Sequence, residues 1–400
     1  MTPYILILLA CVAVYSLLSK AISRTSITLP MVFVGLGLVL SQPLKTAADP
    51  HLIHNGKILL GEVTLILILF SDASHVRFRR LARTWLLPAR MLLIGLPLTI
   101  ATGTAFAYFL MPEAGLAMAL LTAALLTPTD AALGQTVVSS PDVPQRLSQT
   151  INVESGLNDG LVLPFILVGA IFASAGAGGA HSEGLLGEVM TELVLGPVAG
   201  IVIGWTFAKA MDWVQDRDLM NEAAGGVTFL AAAFAAYCLA IQIHGNGFIA
   251  AFVAGMVFGN TYRHDIHFIS EFMEGVGQIL TMAAFLAFGA FLLPDGLAHA
   301  QVSTVVLALA FLTFVRILPI VISLAGSGLP MKEKLFLGWF GPRGLASILF
   351  TLLMMEAFDF PTADELLACI SLTVALSVFL HGISAVPFSM RIAGKSAGPK

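Results

Sequence analysis

Charged side chains are scarce in this chain of 400 residues, because Asp, Glu, Lys and Arg together make up only 11% of it. A soluble globular protein carries about 25% of these residues. Apolar residues account for 58% of the sequence, and the mean hydropathy is +0.92. One soluble core could not bury that much apolar surface. The scarcity of charge therefore excludes a soluble protein and predicts a polytopic membrane protein, in which each spanning helix needs about 20 mostly apolar residues.

Cysteine is also rare. Its three copies, Cys11, Cys238 and Cys369, all lie inside apolar runs, which indicates neither a disulfide framework nor a metal site. The histidines lie mostly in loops, and none shows the spacing of metal ligands. The chain lacks the alternation of apolar and polar residues that a membrane β-barrel needs. We therefore predict an all-α membrane protein that needs no cofactor, binds no nucleic acid and contacts membrane lipid.

The first apolar run, residues 3–18, has the length of a signal peptide. It lacks a basic region before it and a clear cleavage site after it, and a second apolar run follows soon. We interpret it as the first spanning helix.

Thirteen apolar segments follow one another with short loops between them, and we see no soluble domain in the sequence. The segments cover residues 3–19, 27–41, 57–72, 86–111, 115–137, 147–175, 186–208, 223–241, 246–259, 269–293, 301–325, 334–357 and 363–388.

The positions of the basic residues test this count, because cytoplasmic loops of membrane proteins are enriched in Lys and Arg. If the N-terminus lies outside, the outer loops hold only Lys45 and Lys57, and nearly all other basic residues fall in inner loops or the C-terminal tail. An even number of helices would break this sorting partway along the chain. The sequence predicts thirteen helices in the plasma membrane (the inner membrane of a bacterium), with a cytoplasmic C-terminus.

Thirteen helices divide into two halves of six, residues 3–175 and 223–388, joined by a linking helix at 186–208. The linking helix is one more crossing, so the halves insert with opposite orientation, as in the inverted repeats of secondary transporters. Segments five and twelve then correspond, and each carries a proline near its middle, Pro128 and Pro342. Broken helices at matching places predict the transport site.

The sequence TPTDAALGQ at 127–135 carries the first intramembrane charge. Pro128 removes a backbone donor and frees carbonyl groups for a cation, and Asp130 adds a negative charge at the break. Asp130 could also cap a helix that begins after the proline, and capping is compatible with ion binding.

The sequence ESGLNDG at 154–160 holds Glu154, Ser155, Asn158 and Asp159 inside an apolar segment. Ser155 and Asp159 are four residues apart and therefore share one helical face. Together they offer a hydroxyl and a carboxylate to one ion, and the same carboxylate can take a proton. A solvated helix end is the alternative, but the apolar flanks argue against it.

Two arginines lie inside apolar segments. Arg343, in GWFGPRGLAS at 338–347, cannot lose its proton in a protein and needs a carboxylate partner or water. We predict Glu154 as that partner, and the alternative is a side chain that reaches the cytoplasmic surface. We assign Arg316 a structural role.

Four further polar residues give weaker signals. Asp72 ends the third segment, where a solvated helix end and a functional acid are equally compatible with the sequence. Glu271, Glu274 and Gln278 share one face of the tenth segment and could line a cytoplasmic funnel or simply face water.

At these residues the chain resembles the monovalent cation/proton antiporter-1 family, the sodium/proton exchangers of NhaP type. The resemblance rests on TPTD at 127–130, ESGLNDG at 154–160, HGNGFIAAFVAGMVFGN at 244–260 and FGPRG at 340–344, in the order of the family. It implies a fold of thirteen helices in two inverted repeats, a transport bundle with crossed, broken helices, and an interface domain that forms a homodimer.

The resemblance also implies roles for single residues. It makes Asp159 the ion- and proton-binding aspartate, Thr129 and Asp130 the pair at the unwound helix, and Ser155 a further ligand. It makes Glu154 and Arg343 a buried ion pair. Asp72 would be the acid of the third helix, although SDAS stands here where many members have Glu–Gly. The predicted cation- and proton-binding set is Asp159, Asp130, Ser155, Thr129, Asn158 and Asp72, with Na⁺ held by Asp159, Asp130, Ser155 and Thr129.

Electrogenic relatives in this family carry two adjacent aspartates where the present chain has Asn158–Asp159. With one titrating carboxylate, the site holds either one cation or one proton. The sequence therefore predicts an antiporter, not an enzyme, that exchanges Na⁺ or Li⁺ for H⁺ one for one, with K⁺/H⁺ exchange as the alternative. A membrane potential then contributes no driving force.

Three other function classes fit less well. An intramembrane aspartyl protease would need two close carboxylates, and its Gly-x-Gly-Asp motif is missing. A channel would need a filter of repeated carbonyls, which the sequence does not show. A Na⁺-coupled symporter of related fold would need a pocket for an organic solute.

Overall fold

The computed structural model describes residues 2–22, 25, 27–47, 49–76, 85–175, 182–264 and 267–394. All regular secondary structure in these ranges is helical, as the composition predicts. The described residues form thirteen helical stretches when broken helices are counted once, and each overlaps one of the thirteen apolar segments. They are α1 (Thr2–Ile22), α2 (Leu29–Ala47), α3 (Pro50–His75), α4 (Leu86–Leu110), α5a (Gly115–Leu125) and α5b (Ala131–Val138), α6 (Gln145–Ala175), α7 (Ser182–Gln215), α8 (Glu222–Gln242), α9 (Gly247–Thr261), α10 (267–298), α11 (Val302–Ser323), α12a (Met331–Trp339) and α12b (Leu345–Ala357), and α13 (Ala363–Ile392).

Length and composition make this an integral membrane protein. Nine of the described helices are long and apolar enough to cross a membrane, and four shorter apolar stretches lie in α1, α5, α9 and α12. Large apolar side chains are exposed on the outside, among them Leu17 (84%), Phe109 (78%) and Val302 (80%). Contact of such side chains with lipid costs no free energy, whereas their exposure to water would be unfavourable.

Several basic residues that define the predicted orientation lie outside the described residues, so the orientation stays a prediction. They are Arg24, Arg77, Arg79, Arg80, Arg83, Lys395 and Lys400.

Two helices are broken where the sequence places a proline. The helix ends at Leu125 and resumes at Ala131, and again ends at Trp339 and resumes at Leu345. Milder irregularities occur elsewhere: α11 is interrupted at Thr313, and α4 and α10 each contain one π-helical turn directly before a proline-containing turn. Proline lacks an N–H, so the preceding carbonyls must find other partners, and a wider turn is one solution. The breaks in α5 and α12 set the geometry of the site.

Helix α9 packs between α3 and α7 and makes backbone contact with both. A Cβ atom on Gly255 or Gly259 of α9 would lie 2.1 or 1.9 Å from the carbonyl oxygens of Phe70 and Ser74 in α3. Small residues permit this approach between membrane helices, and only glycine fits at these two positions. The contact fixes the end of α3, where Asp72 lies.

Two asparagines hold the ends of α9. The Asn246 Oδ1 atom caps the helix by accepting from the N–H groups of Phe248 and Ile249. The Asn260 Nδ2 group donates to the carbonyl of Val76 just beyond α3, at 2.8 Å. The motif at 244–260 therefore braces neighbouring helices, and its Phe252 ring packs against Gly160 of α6, next to Asp159.

Candidate functional site

The unwound segments of α5 and α12 cross at the centre of the protein. The Asp130 N–H donates to the Pro342 carbonyl at 2.8 Å. The Asp130 carboxylate accepts from the Leu133 N–H through Oδ1 at 3.1 Å and from the Leu345 N–H through Oδ2 at 2.7 Å. One buried carboxylate thus caps α5b and α12b together, and its charge matches the positive ends of both half-helices.

Gly344 lets these two segments touch. A Cβ atom at this position would lie 2.0 Å from Asp130 Oδ2, which is far closer than any side chain allows. The glycine of FGPRG is therefore needed for the close approach of the two segments, and Asp130 serves as their common anchor.

Arg343 does not pair with Glu154, so that prediction is wrong. The Arg343 side chain is fully buried, and its Nη1 group donates to the carbonyls of Thr127 and Pro128. Those carbonyls lack helical partners because the break at Pro128 ends the helix there. The sequence predicts that carbonyls freed at this break bind a cation, but in the fold they accept hydrogen bonds from the Arg343 guanidinium.

Arg316 is the partner of Glu154. Its Nη1 and Nη2 groups donate to Glu154 Oε1 and Oε2 at 2.8 and 2.9 Å, a bidentate pair between α11 and α6. The two side chains are only 2% and 1% exposed. Sequence reasoning missed this pair because it could not tell which of two buried arginines faces α6. The position of Arg316 inside an apolar segment could have identified it, since any charged residue in such a segment is a functional candidate.

A chain of polar side chains extends from this ion pair. Asn158 Nδ2 lies 3.1 Å from Glu154 Oε1, 3.3 Å from Thr129 Oγ1 and 3.4 Å from the Thr127 carbonyl. Thr129 Oγ1 lies 3.1 Å from Ser155 Oγ. The fold therefore brings together three of the predicted site residues, Ser155, Asn158 and Thr129, with Glu154, and all four are buried.

Asp159 lies one helical turn beyond Ser155 on α6. Its side chain is 6% exposed, and its Oδ1 atom is buried without a hydrogen-bond partner among the described residues. The same holds for Asn158 Oδ1. Two buried oxygens without donors are costly unless something positive binds them. Both belong to residues that the sequence predicts as cation ligands.

Asp72 lies beside this cluster on α3. A Cβ atom on Gly156 of α6 would lie 3.7 Å from the Asp72 Cβ atom, so the acid contacts α6 next to Ser155. Asp72 is half-buried. Glu271, Glu274 and Gln278 are exposed on α10.

Two residues of α13 that are not in the predicted site set also contact the crossover. Ser377 and His381 are buried, and both hydrogen-bond to the backbone of α12 at its break, Ser377 to the N–H of Arg343 and His381 to the carbonyl of Trp339. A histidine and a serine spaced four apart inside the last apolar segment are the signal that could have identified them.

Comparison with known proteins finds relatives that are named cation/proton antiporters. It is 26% identical over 302 residues to the K⁺/H⁺ antiporter NhaP of Alkalimonas amylolytica, which covers 74% of this chain and 50% of that protein. It is 25% identical over 397 residues to the K⁺/H⁺ antiporter NhaP2 of Shewanella oneidensis, which covers 97% of this chain and 66% of that protein. The chain thus spans between half and two thirds of the length of these relatives.

The fold matches a solved structure. The sodium proton antiporter MjNhaP1 from Methanocaldococcus jannaschii superposes with a TM-score of 0.76 at 19% identity, covering 98% of this chain and 99% of that one. Residues 7–391 match the model of the family described as "Sodium/hydrogen exchanger, transmembrane". The chain therefore belongs to the sodium/hydrogen exchanger family, whose members are membrane transporters and not enzymes.

Proposed function

We propose that this protein exchanges a monovalent cation, Na⁺ or Li⁺, for a proton across the membrane, with both ions competing for Asp159. The observation that carries the proposal is the buried Asp159 Oδ1 atom, which has no hydrogen-bond partner among the described residues. Asp159 lies one helical turn from Ser155, and Ser155 contacts Thr129, which in turn contacts Asn158. Oxygen atoms of a carboxylate, hydroxyls and an amide suit a hard cation.

The charges of the buried cluster support this reading. Among the described residues, five acidic or arginine side chains are buried around the crossover, namely Arg316, Arg343, Glu154, Asp130 and Asp159, with histidine and the half-buried Asp72 not counted. With all of them ionised, two positive and three negative charges leave one excess negative charge. A net charge is expensive within the membrane, and either one monovalent cation or one proton at Asp159 removes it.

The other two acids are already engaged. Glu154 holds Arg316 through both carboxylate oxygens, and Asp130 accepts one backbone N–H at each oxygen. Asp159 is thus the acid of this group whose binding capacity is least used. In the proposed cycle Asp130 anchors the crossover of α5 and α12. The cation is surrounded by Thr129, Ser155 and Asn158. Asp72 lies on the path of the cation to the site.

One titrating carboxylate gives a stoichiometry of one cation for one proton. The loaded site is neutral in either form and can cross, whereas the empty, charged site crosses poorly. The neutral Asn158 supports this, because it occupies the position beside Asp159 where a second acid would add a charge.

We also propose that the chain is built from two inverted repeats, 3–175 and 223–388, with 186–208 as the linking helix. The breaks of α5 and α12 support the repeat, as do the irregular turns of α4 and α11, since both pairs are seven helices apart. Alternating access would then move one bundle against the other around the crossover. An outside N-terminus, a cytoplasmic C-terminus and a homodimer belong to the same proposal.

Reconstituted vesicles test the function. Purified protein would be placed in vesicles that contain a pH-sensitive dye, and Na⁺, Li⁺ or K⁺ would be added outside without any other solute. We expect an immediate pH change with Na⁺ and Li⁺. No response to any of the three cations would overturn the antiporter assignment.

K⁺/H⁺ exchange is the second candidate, because the two curated relatives described above are named K⁺/H⁺ antiporters. A pH change with K⁺ and none with Na⁺ or Li⁺ would select it. The same site serves in both cases, since Asp159 needs only a single positive charge.

A further inference from the structure

The break in α12 leaves backbone groups that the helix itself cannot satisfy. The carbonyl of Trp339, at the end of α12a, lies 2.9 Å from the Nε2 atom of His381. The N–H of Arg343, inside the unwound segment, donates to Ser377 Oγ at 2.7 Å. Helix termini in a membrane must find such partners within the protein. One helix, α13, supplies both.

The chemistry of His381 fixes its role at Nε2. A carbonyl oxygen only accepts, so the neutral ring donates to Trp339 in the tautomer that carries its proton on Nε2, and Nδ1 then accepts from the Ser377 hydroxyl. At the other nitrogen, Nδ1 lies 3.2 Å from Ser377 Oγ and 3.0 Å from the Ser377 carbonyl. The ring is 1% exposed and stacks on the Trp339 indole, with centroids 5.1 Å apart. Packing and hydrogen bonds together hold the imidazole in one orientation.

Ser377 and His381 are one turn apart and face α12 together. Their two contacts lie on either side of residues 340–342, which include the Pro342 carbonyl that accepts from the Asp130 N–H. Directly after Arg343 come Gly344, which touches the Asp130 carboxylate, and Leu345, which donates to it. A shift of this segment would therefore move the groups that Asp130 holds.

We propose that His381 and Ser377 are positioning residues that hold the unwound segment 340–344 of α12 at its crossing with α5. Among the described residues, no hydrogen bond joins either of them to Asp159, and they act through the backbone of α12. The effect on transport rests on the proposed function, whereas the effect on the backbone does not.

Two substitutions at His381 separate its two nitrogens. In His381→Gln the amide nitrogen reaches the place of Nε2 and can still donate to the Trp339 carbonyl. In His381→Asn the shorter amide reaches only the place of Nδ1. We expect His381→Gln to keep the apparent KM for the cation within about twofold, and His381→Asn to raise it about tenfold, the factor of one lost buried hydrogen bond.

Hydrogen–deuterium exchange gives a readout that needs no transport. The native protein in detergent would be compared with His381→Asn, His381→Gln and Ser377→Ala, in peptides that cover residues 340–344. We expect faster exchange for His381→Asn and Ser377→Ala and native exchange for His381→Gln. Thr373→Ala is the matched control, because this buried hydroxyl of α13 donates to Cys369 within its own helix.

The outcomes are distinct. Equal behaviour of the Gln and Asn variants in both measurements, or an equal effect of Thr373→Ala and Ser377→Ala on the 340–344 peptides, overturns the positioning role. If His381→Asn does not fold, Ser377→Ala against Thr373→Ala decides the question alone. If the native protein moves no protons with any cation, the proposed function fails, and the deuterium exchange still judges the positioning of α12.

Discussion

At the scale of single residues, the site is a set of buried charges whose partners come from four different helices. Glu154 of α6 holds Arg316 of α11, Arg343 of α12 holds carbonyls of α5, and Asp130 caps two half-helices. The Nε atoms of both arginines and the Nη2 atom of Arg343 have no hydrogen-bond partner among the described residues. By contrast, every carboxylate oxygen of Glu154 and Asp130 accepts from a donor. Asp159 differs, because one of its buried oxygens is without a protein donor in the described structure.

Removing one partner of the Glu154–Arg316 pair should be costly. Glu154→Gln or Arg316→Gln leaves the other charge buried and uncompensated, and each should lower the free energy of unfolding by about 3–5 kcal/mol. The double variant should lose less than the sum of the two single changes. Thermal unfolding in detergent measures this.

Arg343→Gln is the control for this cycle. Because Arg343 donates to the carbonyls of Thr127 and Pro128, combining Arg343→Gln with Glu154→Gln should give a smaller coupling than the Arg316 cycle. Strictly additive losses for Glu154 and Arg316 would show that the two are not partners.

Asp159→Asn should abolish cation/proton exchange while the protein stays folded, since the amide keeps the size of the side chain but cannot take up a proton. Proton movement in vesicles measures activity, and elution as a single species in detergent checks folding. Asp359→Asn, at an exposed loop carboxylate, should exchange like the native protein. Substantial Na⁺-driven proton movement by Asp159→Asn would remove this residue from the site.

At the scale of whole helices, two devices set the geometry. The broken helices α5 and α12 bring backbone groups and Asp130 to one point. Helix α9 holds α3, the helix that carries Asp72, in place through backbone contacts at Gly255 and Gly259. A side chain at either glycine would meet a carbonyl group, which cannot rotate away.

Gly259→Ala should therefore destabilise the protein by about 1–3 kcal/mol, the usual cost of overpacking a tight contact. It should also displace α3 and with it Asp72. Gly275→Ala on α10 is the matched control, because nothing lies within 4 Å of the Cβ position there. The midpoints of thermal unfolding of the two variants would be compared. Equal midpoints would mean that α9 does not brace α3.

At the scale of the whole molecule, the one excess negative charge of the buried cluster determines how exchange responds to voltage. If the bundle crosses only when Asp159 carries one cation or one proton, no net charge moves in a cycle. The rate of proton movement should then be the same with and without a potential imposed by K⁺ and valinomycin. For this measurement the transported cation is Na⁺ or Li⁺. A clear voltage dependence would show that a second charge moves, and Asp72 would be the first residue to substitute.

The amino-acid sequence by itself determined the membrane class, the positions of the helical stretches and the residues that carry the buried charge. These are local properties: an apolar run, a proline in its middle and an acid beside it leave a signal in the order of residues. The breaks at Pro128 and Pro342 were predictable for the same reason, since proline removes a backbone donor wherever it stands. Helical spacing predicted that Ser155 and Asp159 share one face, whereas Thr129 entered the predicted site only through the family resemblance.

Only the tertiary structure decided which charges meet. Whether Glu154 faces Arg316 or Arg343 depends on how α6, α11 and α12 are rotated about their axes, and that rotation is fixed by packing between helices distant in sequence. The same holds for Asp130, whose carboxylate caps a half-helix more than 200 residues away, and for His381, whose partner is a carbonyl that exists only because α12 unwinds. The positions of the charged residues can be read from the sequence, whereas the partner of each charge depends on how the helices pack.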